Sequence, residues 1–224
     1  MGDVFSKKSP DMKHHVETAI ASAGPYPPSR KPCAIHFLAR VFSGMFRKKP
    51  PSERHGDTLV YANPGVSPDK LLVIAKGKSR ARVDNLVCLA LSRGWRVAVN
   101  EGESTGISVG YCVLHARKLL PSRHTCLIGV AAGARAACKA SLAVPLVSIP
   151  DGHDTEPEFW VDYAAAPTLI INSREDPYDS IEACDIAAKN YARIATVTTP
   201  WRDYDDRWSH SVALEFLDSV IREE

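Results

Sequence analysis

After residue 56, short apolar runs alternate with segments of helical periodicity. The apolar runs are mostly unbroken, which is typical of parallel strands that are buried on both faces. The predicted strands are residues 58–62, 71–75, 95–100, 125–130, 145–149, 168–172 and 195–199. The alternation predicts an α/β fold in which helices flank a mostly parallel sheet.

Helical periodicity fills the gaps between these strands. The predicted helices are residues 81–93, 109–120, 134–142, 180–192 and 211–222. In the last of them, Leu214, Leu217 and Ile221 form the buried stripe. The loop between the first two strands carries Pro64 and Gly65, which favour a turn. We therefore expect those two strands to pair as an antiparallel hairpin at one edge of the sheet.

Residues 1–56 differ from the rest of the chain. They are rich in proline and basic residues and have few large apolar side chains, so we expect an extended N-terminal arm followed by a compact domain at 57–224. Within the arm, residues 35–49 predict a short amphipathic helix. Its apolar face is formed by Leu38, Val41, Phe42 and Met45. That face is expected to dock on the compact domain, on other protein subunits or, peripherally, on an anionic membrane surface.

Composition and charge argue against several classes of function. The chain has 224 residues and a formal net charge of +2, so its overall charge gives no argument for nucleic acid binding. Six cysteines occur without a CxxC pair and eight histidines show no metal-ligand spacing, so no metal or cofactor is predicted. No apolar run reaches the length of a membrane span. These features favour an intracellular protein in a reducing compartment, with mitochondria and the cytoplasm or cytoskeleton left as alternatives.

The segment CLIGVAAGARAA, residues 126–137, joins a predicted strand to a predicted helix. Gly129 and Gly133 occupy the outer positions of a G-x-S-x-G frame, and Ala131 stands at its centre. Because a methyl group cannot be deprotonated, Ala131 excludes covalent acyl chemistry at this position. Taken alone, the segment fits an alanine-rich turn of another parallel-sheet protein equally well.

Two residues further along the chain favour the interpretation of this segment as a G-x-S-x-G turn in which alanine replaces the serine. Asp176 follows a late strand, and His210 lies between the last strand and the final predicted helix, so Ala131, Asp176 and His210 stand in the order Ser, Asp, His. Residues 57–224 therefore resemble a compact α/β-hydrolase domain. The resemblance implies a vestigial triad in which Asp176 orients His210, with all three side chains converging at the carboxyl edge of the sheet. The local alternatives are an Asp-Pro turn for Asp176 and a helix cap for His210.

The resemblance also assigns the oxyanion-hole positions to Gly77, Lys78 and Ala132. Where the family often carries His-Gly, this chain has Lys76 before Gly77, followed by further basic residues. This basic cluster is either a patch for an acidic partner or a solvated loop. The segment that would cap a substrate, residues 150–167, is short and leaves little to enclose a large acyl group.

Two classes of function follow. In the first, the protein is a non-catalytic relative of the α/β-hydrolases that serves as a structural or accessory subunit of a larger intracellular assembly. In the second, it is a serine esterase, thioesterase or peptidase whose nucleophile was replaced by alanine for structural work. The changed oxyanion loop and the short cap favour the first class, because a single deliberate substitution would leave both features intact.

Overall fold

The computed structural model describes residues 11–26, 50–61, 69–78, 83–103, 105–140, 142–150, 165–174, 180–200 and 207–223. The strands in these ranges are β1 (Glu53–His55), β2 (Thr58–Tyr61), β3 (Lys70–Ala75), β4 (Arg96–Asn100), β5 (His124–Val130), β6 (Leu146–Ile149), β7 (Thr168–Ser173) and β8 (Ile194–Thr199). The helices are α1 (Met12–Ala23), α2 (Asp84–Ser92), α3 (Gly106–Leu119), α4 (Ala132–Lys139), α5 (Ser180–Asn190) and α6 (Arg207–Arg222).

The strands form one sheet in the order β1-β2-β4-β3-β5-β6-β7-β8. β2 pairs antiparallel with β1 and β4, whereas β4, β3 and β5 to β8 run parallel to one another. Ala75 of β3 lies opposite both Asn100 of β4 and Gly129 of β5, so the carboxyl ends of these strands meet at one edge. The predicted mostly parallel sheet flanked by helices is confirmed.

Both faces of the sheet are buried. On one face, Leu72 and Ile74 of β3 share a core with α1, α2 and α6. On the other face, Leu71 and Val73 of the same strand share a core with α3, α4 and α5. Because successive side chains of a strand point to opposite faces, burial on both sides requires the unbroken apolar runs seen in the sequence.

The expected hairpin between the first two predicted strands is wrong. These strands, β2 and β3, do not pair, because β4 lies between them. β2 forms its hairpin with β1 instead, through a turn at Gly56, whose φ of 60° suits glycine. A turn signal constrains only the local chain, whereas the apolar run of β3 is best buried at the centre of the sheet. Residues 62–68, with Pro64 and Gly65, lie outside the described residues.

Parts of the N-terminal 56 residues belong to the folded body. α1 packs on α6 and buries Met12, His15 and Ala19 between the two helices and the sheet. The indole Nε1 of Trp208 donates a hydrogen bond of 2.8 Å to the carbonyl of Gly24 just after α1. β1 extends the sheet, so the predicted boundary at residue 56 falls inside the β1–β2 hairpin. The predicted amphipathic helix at 35–49 lies outside the described residues.

Candidate functional site

The turn from β5 into α4 has the backbone geometry of a nucleophile elbow. Ala131 adopts φ 52° and ψ −126°, and it is the one non-glycine residue with positive φ in the described part of the chain. Its N–H donates to the carbonyl of Ile149 at 2.9 Å, and its own carbonyl accepts from the N–H of Ala134 at 2.9 Å. These bonds tie the strained residue to β6 on one side and to the first turn of α4 on the other.

Glycine is required on both sides of Ala131 because α4 crosses close to the sheet. A Cβ at Gly133 would lie 1.8 Å from the carbonyl oxygen of Ala75, at the end of β3. A Cβ at Gly129 would lie 2.6 Å from the Cα of Ala134 and 2.7 Å from the carbonyl oxygen of Gly133. Both positions therefore have no room for a side chain, as the predicted elbow requires.

The centre of this elbow has no group that can attack a carbonyl carbon. The Ala131 side chain is a methyl, and the residue is only 3% exposed. The thiol of Cys138 in α4 is no substitute, because burial raises its pKa to about 12. At neutral pH this thiol stays protonated and inaccessible.

The predicted oxyanion-hole positions are Gly77, Lys78 and Ala132. Gly77 has φ 60°, and its N–H donates to the carbonyl of Asn100 at 3.2 Å. The N–H of Lys76 donates to the same carbonyl at 3.3 Å. The Gly77 N–H thus points to β4 and not towards a substrate oxygen. Lys78 is exposed, and Ala132 opens α4, where the first N–H groups of a helix have no intrahelical acceptor.

An ion-pair network covers the end of β3 where an oxyanion loop would lie. The Nζ of Lys76 is 3.2 Å from Oε1 of Glu101, and Nη2 of Arg54 is 2.6 Å from Oε2 of the same carboxylate. Burial by itself would raise the pKa of Glu101, but the hydrogen bonds from Arg54 and Lys76 hold that pKa below its ordinary value. Side chains from β1 and from the ends of β3 and β4 are thereby joined.

Of the two other predicted triad positions, the structure describes His210 but not Asp176. His210 is 1% exposed and lies in the first turn of α6, because that helix begins at Arg207 and not at the predicted residue 211. The histidine is therefore helical and does not lie in a loop before the helix. The indole ring of Trp208 packs on Tyr26, with ring centroids 4.9 Å apart, and this contact stabilises the earlier helix start. Asp176 lies outside the described residues, so the convergence of the three positions stays a prediction.

A buried serine and histidine pair, which no sequence pattern predicts, lies between α1 and α6. Nδ1 of His15 is 2.6 Å from Oγ of Ser219, and Nε2 of the same ring is 3.4 Å from a carboxylate oxygen of Glu223. His15 is 1% exposed and Ser219 is 7% exposed, so a substrate cannot reach the hydroxyl. The pair anchors α1 to α6. No local motif marks it, because 204 residues separate its two members.

The described ranges contain neither a metal-ligand cluster nor a membrane-spanning helix. Those residues contain no grouping of three or more His, Cys, Asp or Glu side chains that could hold a metal ion. None of the helices in the same ranges combines the length and hydropathy of a membrane span.

The sequence matches no protein-family model and no curated protein. Solved structures do resemble it. Est1E from Butyrivibrio proteoclasticus is 14% identical at a TM-score of 0.54, covering 77% of this chain and 97% of that one. A carboxylesterase structure from the thaumarchaeon Nitrososphaera gargenis is 9% identical at a TM-score of 0.53, covering 78% of this chain and 100% of that one. An alpha-beta serine hydrolase homologue from Coxiella burnetii is 15% identical at 0.50, covering 80% and 99% respectively.

At these identities the similarity concerns the fold. The chain has the α/β-hydrolase fold, with esterases and other hydrolases as structural neighbours. The fold alone does not define an activity, because activity depends on the residues at the site.

Proposed function

We propose that this protein is a non-catalytic α/β-hydrolase-fold protein that serves as an accessory subunit of a larger intracellular assembly. The observation that carries the proposal is Ala131. It occupies the strained centre of the elbow, between two glycines that the crossing of β5 and α4 requires, and it supplies no nucleophile. The elbow thus persists as a structural turn without its reactive group.

The surroundings of the elbow support loss of catalysis beyond one residue. Stabilising a tetrahedral intermediate needs N–H groups aimed at the developing oxyanion. The Gly77 N–H instead donates to the carbonyl of Asn100, and the Lys76 side chain is held by Glu101. A nucleophile restored at position 131 would still lack this half of an oxyanion hole.

The accessory role rests on the N-terminal region. α1 and β1, which flank residues 27–49 in the sequence, both belong to the folded body. The sequence of this segment predicts an amphipathic helix at 35–49 that ends in basic residues, a pattern typical of docking on another protein or on an anionic membrane. The five described cysteines form no disulfides, which fits a reducing intracellular compartment.

The accessory role is tested by sedimentation of native cell extracts. The Phe42→Asp variant places a charge on the predicted apolar face, and Ser43→Asp places the same charge on the adjacent residue, outside that face. We expect wild-type and Ser43→Asp proteins to sediment in a complex larger than a dimer and Phe42→Asp to leave it. A wild-type protein that sediments no faster than a dimer would reject the accessory role.

The absence of catalysis is tested separately on the purified chain. Incubation with a fluorophosphonate probe, followed by intact-mass spectrometry, should leave the protein unlabelled under conditions that fully label an active serine esterase. A stoichiometric adduct on any serine would reject the non-catalytic assignment and leave the accessory role to the sedimentation result.

A further inference from the structure

The outer face of α3 carries an apolar stripe that no described element covers. Ile107 is 75% exposed, Tyr111 is 69% exposed and Leu114 is 53% exposed. Their spacing of four and three residues places them on one side of the helix. The opposite side of α3 packs in the core through Val109 and Val113. Three of the five exposed large hydrophobic residues in the described ranges lie here, so the stripe is a concentrated patch.

The residue types along this stripe are arranged with approximate symmetry about its centre. Counting outward from the point between Gly110 and Tyr111, Ile107 corresponds to Leu114. Further out, the exposed acid Glu103 lies just before the N-terminal end of α3, and the exposed base Lys118 lies near its C-terminal end. Two antiparallel copies of the helix would therefore place apolar residues opposite each other at both inner positions and opposite charges at both ends.

Gly110 adds steric complementarity to this pattern. A Cβ built at Gly110 has no heavy atom within 4 Å, so the surface there is open. In an antiparallel pair, the ring of Tyr111 from one copy would lie over Gly110 of the other. The two helix dipoles would also run in opposite directions, which is favourable.

We propose that this face, comprising Glu103, Ile107, Gly110, Tyr111, Leu114 and Lys118, joins two copies of the chain about a two-fold axis. A two-fold interface requires a surface that is complementary to itself, and the charge arrangement of this face meets that requirement. An unrelated apolar partner would account for the three hydrophobic side chains but not for an acid at one end of the face and a base at the other. This self-association is independent of the proposed accessory role.

The size of the face limits the expected affinity of the proposed dimer. Stable interfaces bury about 1,200–2,000 Å² in total, and one exposed helix face per copy supplies less than this. The dimer is therefore expected to form and dissociate with concentration, at a Kd of the order of 10 µM.

Sedimentation velocity of the full chain from about 1 to 100 µM tests the proposal, because this range spans the expected Kd. The wild-type protein should shift from monomer to dimer across the series. Tyr111→Glu should remain monomeric, whereas the matched control Ile186→Glu, which alters an exposed residue of α5, should dimerise like the wild type. Wild-type protein that stays monomeric at every concentration, or a Tyr111→Glu variant that dimerises normally, would overturn the proposal.

Charge reversal distinguishes the two-fold pairing from other occupants. Glu103→Lys and Lys118→Glu should each weaken dimerisation about tenfold, because each replaces two attractive contacts by two repulsive ones. The double variant restores both contacts and should dimerise within about threefold of the wild type. Equal weakening in the double variant would overturn the pairing. Dimerisation that appears only after residues 27–49 are replaced by a Gly/Ser linker would also overturn it, by showing that this segment covers the face.

Zero-length carbodiimide cross-linking gives an independent readout. Within one chain, the helical part from Gly106 to Lys118 alone spans about 18 Å at 1.5 Å per residue, so Glu103 before it is too far from Lys118 for a direct amide link. In an equimolar mixture of ¹⁴N- and ¹⁵N-labelled protein, about half of the 103–118 cross-links should therefore join one peptide of each label, since the copies pair at random. A link that always carries a single label would contradict the two-fold dimer.

Discussion

At the scale of single residues, the strained backbone of Ala131 is retained although no reactive side chain uses it. Residues held in such conformations cost about 1–3 kcal/mol and persist only where the surrounding structure determines them. Here the hydrogen bond to Ile149 and the close approach of Gly133 to Ala75 impose the conformation. The turn is thus a consequence of how β5 and α4 cross.

The close approach at Gly133 gives a direct prediction for stability. Gly133→Ala should lower the free energy of unfolding by about 3 kcal/mol or more, since the added methyl would overlap the Ala75 carbonyl. The matched control is Gly110→Ala in α3, which meets no atom within 4 Å and should raise the free energy by about 0.5–1 kcal/mol. Urea unfolding, at a concentration where the chain is monomeric, measures both. Equal effects of the two variants would contradict the close crossing.

The network around Glu101 gives a prediction about pH. Because the folded-state pKa of Glu101 lies below its ordinary value of 4.5, its contribution is complete above that pH and is lost as the pH falls through the folded pKa. Glu101→Gln should therefore lower the free energy of unfolding by about 1 kcal/mol at pH 7, and the difference should close as the pH falls below 4.5 and through the lowered pKa of Glu101.

Urea unfolding at pH 7, 5 and 3 measures this dependence. Glu17→Gln serves as the control, because its ion pair with Lys13 is exposed, with side chains 66% and 84% accessible, and should contribute little at any pH. A gap between wild type and Glu101→Gln that is the same at pH 3 as at pH 7 would refute the proposed role of the network.

At the scale of elements, α1 is integrated into the folded body despite its weak apolar pattern. Its buried residues are Met12, His15 and Ala19, two of which are small or polar. The hydrogen bond between His15 and Ser219 satisfies Nδ1 of the buried ring, whereas Nε2 makes no hydrogen bond and lies 3.4 Å from the Glu223 carboxylate. α1 is held by close packing of small residues and by specific polar contacts.

Two substitutions within α1 test this docking. Ala19 is fully buried and Ala21 is exposed on the same helix. Ala19→Glu should release α1 and increase amide hydrogen exchange across residues 12–23, because a buried charge without a partner is strongly unfavourable. Ala21→Glu should leave exchange close to that of the wild type. Similar exchange in both variants would show that α1 does not depend on this contact.

Elements with unbroken apolar runs could be predicted from the sequence, and those defined by distant contacts could not. The central strands lie within one or two residues of their predicted ends, since burial on both faces leaves a clear pattern. α1 and β1 were missed because Ala19 and His55 carry little apolar signal. The pairing of β2 was wrong because its partner β4 is separated from it by a whole strand in the sequence.

At the scale of the whole molecule, the fold brings together residues that the sequence keeps far apart. The elbow at Ala131 was predictable because its frame is local. The network of Arg54, Lys76 and Glu101 was not, because three separate strands bring its members together. The same holds for the Gly77 N–H, whose acceptor Asn100 lies in the neighbouring strand β4. The proposed loss of catalysis therefore depends on these tertiary contacts as well as on Ala131.

The esterase activity of Ala131→Ser tests most directly whether more than the nucleophile is missing. We expect kcat/KM for a short p-nitrophenyl ester to stay at least about 10²–10³-fold below that of an active serine esterase assayed in parallel, because loss of one oxyanion donor alone costs that much in rate. Circular dichroism should confirm that the variant is folded. Activity within about tenfold of that esterase, with stoichiometric fluorophosphonate labelling of the introduced serine, would contradict the proposed loss of catalysis and favour a hydrolase whose nucleophile had been replaced.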